Sequence, residues 1–124
     1  RKFPQNQLPI SLIILDSTFS NYRRLAADKL RTSWITYLLS PLGYVLISNE
    51  TSAEEYMVNW RHPTLVIHGD QDLVVPYKFG EEIFQQIPHK NKWLWKIPQG
   101  THTDIFHSHE GIYRQKFTDF LDKI

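Results

Sequence analysis

The sequence has no cysteine and almost no net charge. Without cysteine the 124 residues can form neither a disulfide nor a thiolate metal site, and no thiol is available as a nucleophile. The formal charge of +1 is too small to attract nucleic acid or an anionic membrane surface through a long-range field. We therefore expect no nucleic-acid partner, and any ligand has to be recognised by a local site.

One long segment, residues 32–49, has no charged residue. Its length approaches the roughly 18 apolar residues that indicate a membrane span. However, several serines and threonines lower its hydropathy, and Ser40, Pro41 and Gly43 interrupt it. The pattern favours two short helices that cover one end of a domain, and we expect no integral membrane span.

Apolar runs alternate with helical patterns along the rest of the chain. Three runs, about 10–16, 64–69 and 92–97, predict buried strands, and amphipathic segments separate or follow them. Strands separated by helices of this length predict right-handed crossovers and a parallel sheet with flanking helices. The composition, 41% hydrophobic and 14% aromatic, is sufficient for one globular core.

Polar side chains follow these strands where each strand ends. Asp16 ends the first strand, Asp70 and Asp72 follow the second, and His102 follows the third. Neighbouring strands lie about 5 Å apart, so an acid after one strand can meet a histidine after the next. A carboxylate that accepts the Nδ1 proton of a histidine leaves Nε2 free to act as a general base.

Two segments carry a resemblance to a known family. "PTLVIHGDQDLVVP" (63–76) and "KWLWKIPQGTHTDIF" (92–106) resemble the C-terminal part of an α/β-hydrolase, in the esterase, thioesterase and serine-aminopeptidase-like branch. The resemblance implies that residues 1–124 form a partial α/β-hydrolase fold, with Asp72 as the triad acid and His102 as the base. It also implies a small acyl substrate (an ester, a thioester or an amide), and neither a cofactor nor a metal.

The resemblance further implies a role for the uncharged segment. Such enzymes carry their variable cap at this point of the chain. We therefore expect 32–49 to be a helical cap in which Trp34, Tyr37 and Leu38 face an acyl pocket.

The nucleophile of the family is missing from the sequence, because no glycine begins a Gly-x-Ser-x-Gly motif. Ser17 and Ser20 precede the acid and the base, but the neighbours of Ser17 at two positions on either side are too large for the strained turn of a nucleophile. The segment "ILDSTFSN" resembles the strand after the nucleophile strand. We therefore expect the serine upstream of Arg1, and this chain to be the C-terminal half of the hydrolase.

A half sheet would leave the strand at residues 10–16 without one of its neighbours. We expect this strand to pair with the missing N-terminal half, or with a second copy of the chain in a homo-oligomer.

Two other functions compete with this interpretation. In an aspartyl-phosphate phosphatase, Asp70 would be the nucleophile, Asp72 the acid and Mg²⁺ their partner, but no further acidic pair follows and His102 has no role. Alternatively, the chain is a binding or assembly module without a catalytic half. A Gly-x-Ser-x-Gly motif upstream of Arg1 would favour the hydrolase.

Further polar residues are expected to have structural roles. Asp70 is typical of a turn, and Asp16 is the reserve candidate for the acid. His68 is predicted to be a hydrogen-bonded histidine near the core. His107 and His109 lack the ligand spacing of a metal site. Finally, Asp104 is predicted to begin the last helix.

Overall fold

The computed structural model describes residues 10–32, 36, 41, 48, 52–107 and 109–124. Numbered over these residues, the elements are β1 (Ile13–Asp16), α1 (Tyr22–Arg31), α2 (Glu54–Met57), β2 (Thr64–Gly69), α3 (Tyr77–Gln86), β3 (Lys92–Ile97) and α4 (Ile112–Leu121). The expected cap at 32–49 lies outside the described residues apart from four isolated positions, and so do Trp34, Tyr37 and Leu38.

The three strands form one parallel sheet in the order β1-β2-β3, which confirms the predicted architecture. β2 lies in the centre and all six of its residues are buried, as its continuous apolar run predicts. β1 is shorter than predicted. Its pairing with β2 begins at Ile13 opposite Thr64, and Ile10 is 47% exposed.

Apolar side chains cover both faces of the sheet. On one face, Val66 of β2 packs with Met57 of α2 and with Ile83 and Ile87 of the α3 region. On the other face, Leu65 and Ile67 pack with Ile97 and Ile105, and the aromatic residues of β3 and α4 surround them: Trp93, Trp95, Tyr113, Phe117 and Phe120. Successive residues of β2 alternate between the two faces. The result is a layer of helices on each side of a three-stranded sheet.

The residues just before α1, α3 and α4 explain where these helices begin. The Asn21 side chain caps α1 by accepting a hydrogen bond from the backbone N–H of Arg24 at 3.0 Å. Pro76 is the N-cap residue of α3 and has a non-helical backbone with φ −55° and ψ 141°. α4 begins only at Ile112, after Gly111 in a left-handed conformation with φ 78°.

The expectation that Asp104 begins the last helix is therefore wrong. Its carboxylate instead accepts hydrogen bonds from the backbone N–H and the hydroxyl of Thr101, which closes the turn around His102. Sequence analysis also missed α2, since four residues are too few to show helical periodicity. None of the helices in the described ranges combines the length and the hydropathy that crossing a bilayer requires.

Candidate active site

The loops after β2 and β3 meet at the carboxyl edge of the sheet. The backbone N–H of Asp70 donates to the Ile97 carbonyl at 3.0 Å, and that of Gln71 donates to the Gly100 carbonyl at 3.0 Å. The close approach depends on glycine, because a Cβ added to Gly69 would lie 2.2 Å from the Gly100 oxygen. Two backbones in contact thus set the separation of the side chains that each loop carries.

Asp72 and His102 are in direct contact across this junction. Nδ1 of His102 lies 2.9 Å from Oδ2 of Asp72, and with Nδ1 protonated it donates a hydrogen bond to the carboxylate. The predicted contact between the two residues is confirmed. The Asp72 side chain is fully buried, whereas the His102 side chain is 36% exposed. The contact therefore holds Nδ1 of His102 against a buried carboxylate, while part of the His102 side chain remains accessible from solvent.

Backbone donors hold the Asp72 carboxylate from the other side. Its Oδ1 accepts hydrogen bonds from the backbone N–H groups of Val74 and Val75, both at 2.8 Å. Burial acts to raise the pKa of this carboxyl, but the hydrogen bonds from His102, Val75 and Val74 together hold the pKa below its ordinary value. Asp72 is thus an ionised, fixed acceptor at neutral pH.

Asp70 has different partners from Asp72, although only one residue separates them. Its Oδ1 accepts a hydrogen bond from the backbone N–H of Gln99 at 2.7 Å, and its Oδ2 lies 4.0 Å from the Lys96 ammonium. Asp70 therefore ties the β2 loop to the β3 loop, in agreement with the expected turn role. The hydrogen-bond partners of Asp70 and Asp72 are thus different groups.

Asp16 and Ser17 lie at the end of β1 and support the loop that contains His102. The Ser17 hydroxyl donates to Asp16 Oδ1 at 3.0 Å and accepts a hydrogen bond from the Thr103 backbone N–H at 3.2 Å. Burial raises the pKa of the Asp16 carboxyl, against the opposing effect of the Ser17 hydrogen bond. Since Ser17 is buried and both its bonds are structural, it connects β1 to the residue after His102.

Three of the five non-glycine residues with a positive φ in the described part of the chain lie at this edge of the sheet, and the other two are His109 and Glu110. Ser17, Gln99 and Thr103 have φ values of 50°, 56° and 52°, a region that residues with a Cβ rarely adopt. Gln99 and Thr103 lie in the loop that contains His102, and Ser17 bonds to that loop. Sequence patterns gave no sign of this strain, because no glycine stands at these positions.

His68 contacts the same carboxylate from the core. Its side chain is 0% exposed, as the expectation of a near-core histidine implies, and its Nε2 lies 3.5 Å from Asp72 Oδ2. Nε2 also lies 2.7 Å from the Val75 carbonyl oxygen. The buried Nδ1, however, has no hydrogen-bond partner, so the expectation of a fully bonded histidine is only partly correct. The sequence pattern does not predict this contact, because His68 is in β2 and Asp72 is in the loop after it.

His107 is exposed and His109 packs edge-on against Tyr113, with ring centroids 5.4 Å apart. Among the residues that the structure describes, no group of three or more His, Asp or Glu side chains is arranged to hold a metal ion.

Solved structures similar to this chain are α/β-hydrolases. An esterase of Pyrococcus furiosus matches 95% of this chain and 46% of its own with a TM-score of 0.64 at 16% identity. The acylaminoacyl peptidase of Pyrococcus horikoshii matches 95% of this chain and 20% of its own, also with a TM-score of 0.64, at 17% identity. A thermophilic esterase from Thermogutta terrifontis matches 90% of this chain and 56% of its own, with a TM-score of 0.58 at 18% identity. The chain thus has a partial α/β-hydrolase fold.

Curated relatives are similar in sequence over most of the chain. The uncharacterized protein YfhR of Escherichia coli K12 is 33% identical over 114 residues, which are 90% of this chain and 36% of that protein. YfhR of Salmonella typhi is 29% identical over 118 residues, which are 94% of this chain and 37% of that protein. This chain therefore spans about a third of the length of these relatives. No protein-family model matches the sequence.

Proposed function

We propose that this chain supplies the acid and the base of a serine hydrolase that cleaves an ester, a thioester or an amide through an acyl-serine intermediate. Asp72 is the acid, His102 is the base, and the nucleophilic serine lies upstream of Arg1. One observation carries the proposal: His102 Nδ1 lies 2.9 Å from a carboxylate that is itself buried and held by two backbone N–H groups. The esterase and peptidase structures that share the fold support the same chemistry.

The geometry explains how the pair would act. Asp72 accepts the Nδ1 proton, which orients the His102 ring and leaves the Nε2 lone pair available. Nε2 takes the proton of the serine hydroxyl while the serine oxygen attacks the acyl carbon, and the resulting imidazolium is stabilised by the Asp72 charge. The imidazolium then protonates the departing alcohol, thiol or amine. In the second half of the reaction Nε2 takes a proton from water as the water oxygen attacks the acyl carbon, and the imidazolium then gives that proton to the serine oxygen as the carboxylic acid product leaves.

The remaining groups of the reaction are assigned to the rest of the protein. In such hydrolases the oxyanion donors come from the residue after the nucleophile and from an early strand. Both positions precede β1 in chain order. The cap at 32–49 is proposed to contribute apolar contacts to the acyl group.

A fluorophosphonate probe tests the proposal directly, because it phosphonylates a serine that a neighbouring base activates. We expect the protein in its natural length to be labelled at one serine upstream of Arg1, as mapped by peptide mass spectrometry. His102→Ala should abolish the labelling. Labelling of Ser17 would assign the nucleophile to this chain instead, and no labelling of any serine would support a binding module.

The rate of ester hydrolysis distinguishes the proposed role of Asp72 from that of Asp70. We expect Asp72→Asn to lower kcat for a p-nitrophenyl ester by roughly 10³- to 10⁴-fold, because the His102 ring loses its oriented tautomer. Asp70→Asn is the matched control, since it changes a neighbouring carboxylate that does not contact His102. It should lower kcat by less than about tenfold. In an aspartyl-phosphate phosphatase the control would instead be the inactive variant.

A further inference from the structure

Resting on the function proposed above, we propose that His68 is a positioning residue that holds the Asp72 carboxylate in line with His102. His68 does not touch the reacting atoms in this assignment. It acts through Asp72 and through the turn that follows it.

The contacts of the His68 ring support this role. The Nε2 atom lies 2.7 Å from the Val75 carbonyl oxygen, and because a carbonyl only accepts, Nε2 must carry a proton. The same nitrogen lies 3.5 Å from Asp72 Oδ2, the oxygen that receives the His102 hydrogen bond. One carboxylate oxygen is therefore flanked by two imidazole rings, one buried and one accessible.

Val75 links the second carboxylate oxygen to the same ring. Its N–H donates to Asp72 Oδ1, and its carbonyl accepts from His68. His68 thus holds the carbonyl of the residue whose N–H binds one carboxylate oxygen, and it lies beside the other oxygen. Rotation of the Asp72 carboxylate would break the contacts of Oδ1 and move Oδ2 out of line with His102.

The core is shaped around this ring. α3 has a glycine where it crosses His68, and a Cβ added to Gly80 would lie 2.4 Å from His68 Nδ1. Tyr77 contacts the ring edge-on, with centroids 5.9 Å apart. Nδ1 is buried without a partner, an arrangement that costs stability and that an apolar side chain of similar size would avoid. The position therefore fits a residue kept for its Nε2–H rather than for packing.

A double-mutant cycle in the protein of natural length tests the inference, with p-nitrophenyl ester hydrolysis as the assay. His68→Phe keeps an aromatic ring and removes the N–H. We expect it to lower kcat by about tenfold with KM unchanged when Asp72 is present, and to have no further effect in the Asp72→Asn background. His68→Gln, whose amide N–H can replace Nε2–H, should restore most of kcat. His107→Phe, at an exposed histidine, is the control.

Each outcome decides between the two proposals. If His68→Phe lowers kcat equally in both backgrounds, His68 does not act through Asp72 and the inference is wrong, while the proposed function stands. If Asp72→Asn itself leaves kcat unchanged, the proposed function fails and the inference fails with it. If His68→Phe does not fold, the imidazole ¹⁵N–¹H spectrum of the unmodified protein decides. A His68 proton on Nε2 supports the inference, and one on Nδ1 overturns it.

Discussion

Gly69 and Gly100 pack backbone against backbone, and this contact brings the loop of Asp72 to the loop of His102. A side chain on Gly69 would overlap the Gly100 carbonyl, and one on Gly100 would lie 2.8 Å from Ile97 and 3.0 Å from the Gly69 Cα. Gly69 and Ile97 cannot move easily, because they form the last residue pair between β2 and β3. The distance between the Asp72 and His102 loops is therefore set by main-chain contact rather than by side-chain packing.

Gly69→Ala should consequently separate the pair. We expect the variant to lose roughly 1–3 kcal/mol of unfolding free energy, because the backbones must move apart to admit a methyl group. Urea unfolding measures the loss, and the imidazole NMR signal of His102 Nδ1–H reports the contact with Asp72. Gly111→Ala is the matched control. An added Cβ would lie 3.9 Å from Arg114 Cδ, an ordinary van der Waals contact, so this variant should cost only left-handed backbone strain and leave the His102 signal unchanged. An unchanged His102 signal in Gly69→Ala would contradict the prediction.

The carboxylates of Asp72 and Asp16 should affect the free energy of unfolding in opposite directions. The folded-state pKa of Asp72 is lowered, so its contribution is fully present above the unfolded value of about 4 and is lost as the pH falls through the folded value. Asp72→Asn should therefore destabilise the protein at neutral pH, by roughly 1–3 kcal/mol. Its effect should shrink in strong acid.

For Asp16, ionisation has the opposite effect on the free energy of unfolding. Its folded-state pKa is raised, so ionisation opposes folding above that value and the penalty disappears as the pH falls through it. Asp16→Asn keeps an acceptor for the Ser17 hydroxyl and should raise the unfolding free energy at neutral pH, with no effect in strong acid. Urea unfolding at several pH values measures both variants. Equal signs for the two at neutral pH would contradict the assigned environments.

The isolated 124-residue chain should not hydrolyse p-nitrophenyl esters faster than free imidazole does. A carboxylate and an imidazole without a nucleophile leave no group to acylate. Initial rates at matched histidine concentration measure this. Turnover that Ser17→Ala abolishes would assign the nucleophile to Ser17.

The same chain should self-associate through β1, which has β2 as its one neighbour in the described sheet. Beside the open edge, Ile10 and Ile14 are 47% and 43% exposed. We expect the sedimentation coefficient to rise with concentration, and Ile14→Lys to reduce that rise. Ile112→Lys, at an exposed position on α4, should have no effect. A monomer at all concentrations would argue against pairing between copies.

The sequence predicted the contact between Asp72 and His102 because this contact depends on where two neighbouring strands end. Asp72 and His102 follow adjacent strands of a parallel sheet, and that order alone brings their loops together. The environment of the pair was harder to predict. The His68 contact depends on the direction of a ring inside the core, and the strain at Ser17 depends on a φ value that its residue type does not reveal. Asp104 was misassigned because the chain makes a further turn before α4.

The left-handed residues around His102 have an evolutionary consequence. At Gln99 and Thr103 a glycine or asparagine would relieve backbone strain, whereas at Ser17 it would also remove the hydroxyl that bonds to Asp16 and Thr103. Under selection for stability, Gln99 and Thr103 should therefore drift toward those two residues in any lineage where the geometry of the edge no longer matters. A descendant that has become a pure binding protein would be recognised by such drift, even before it loses Asp72 or His102.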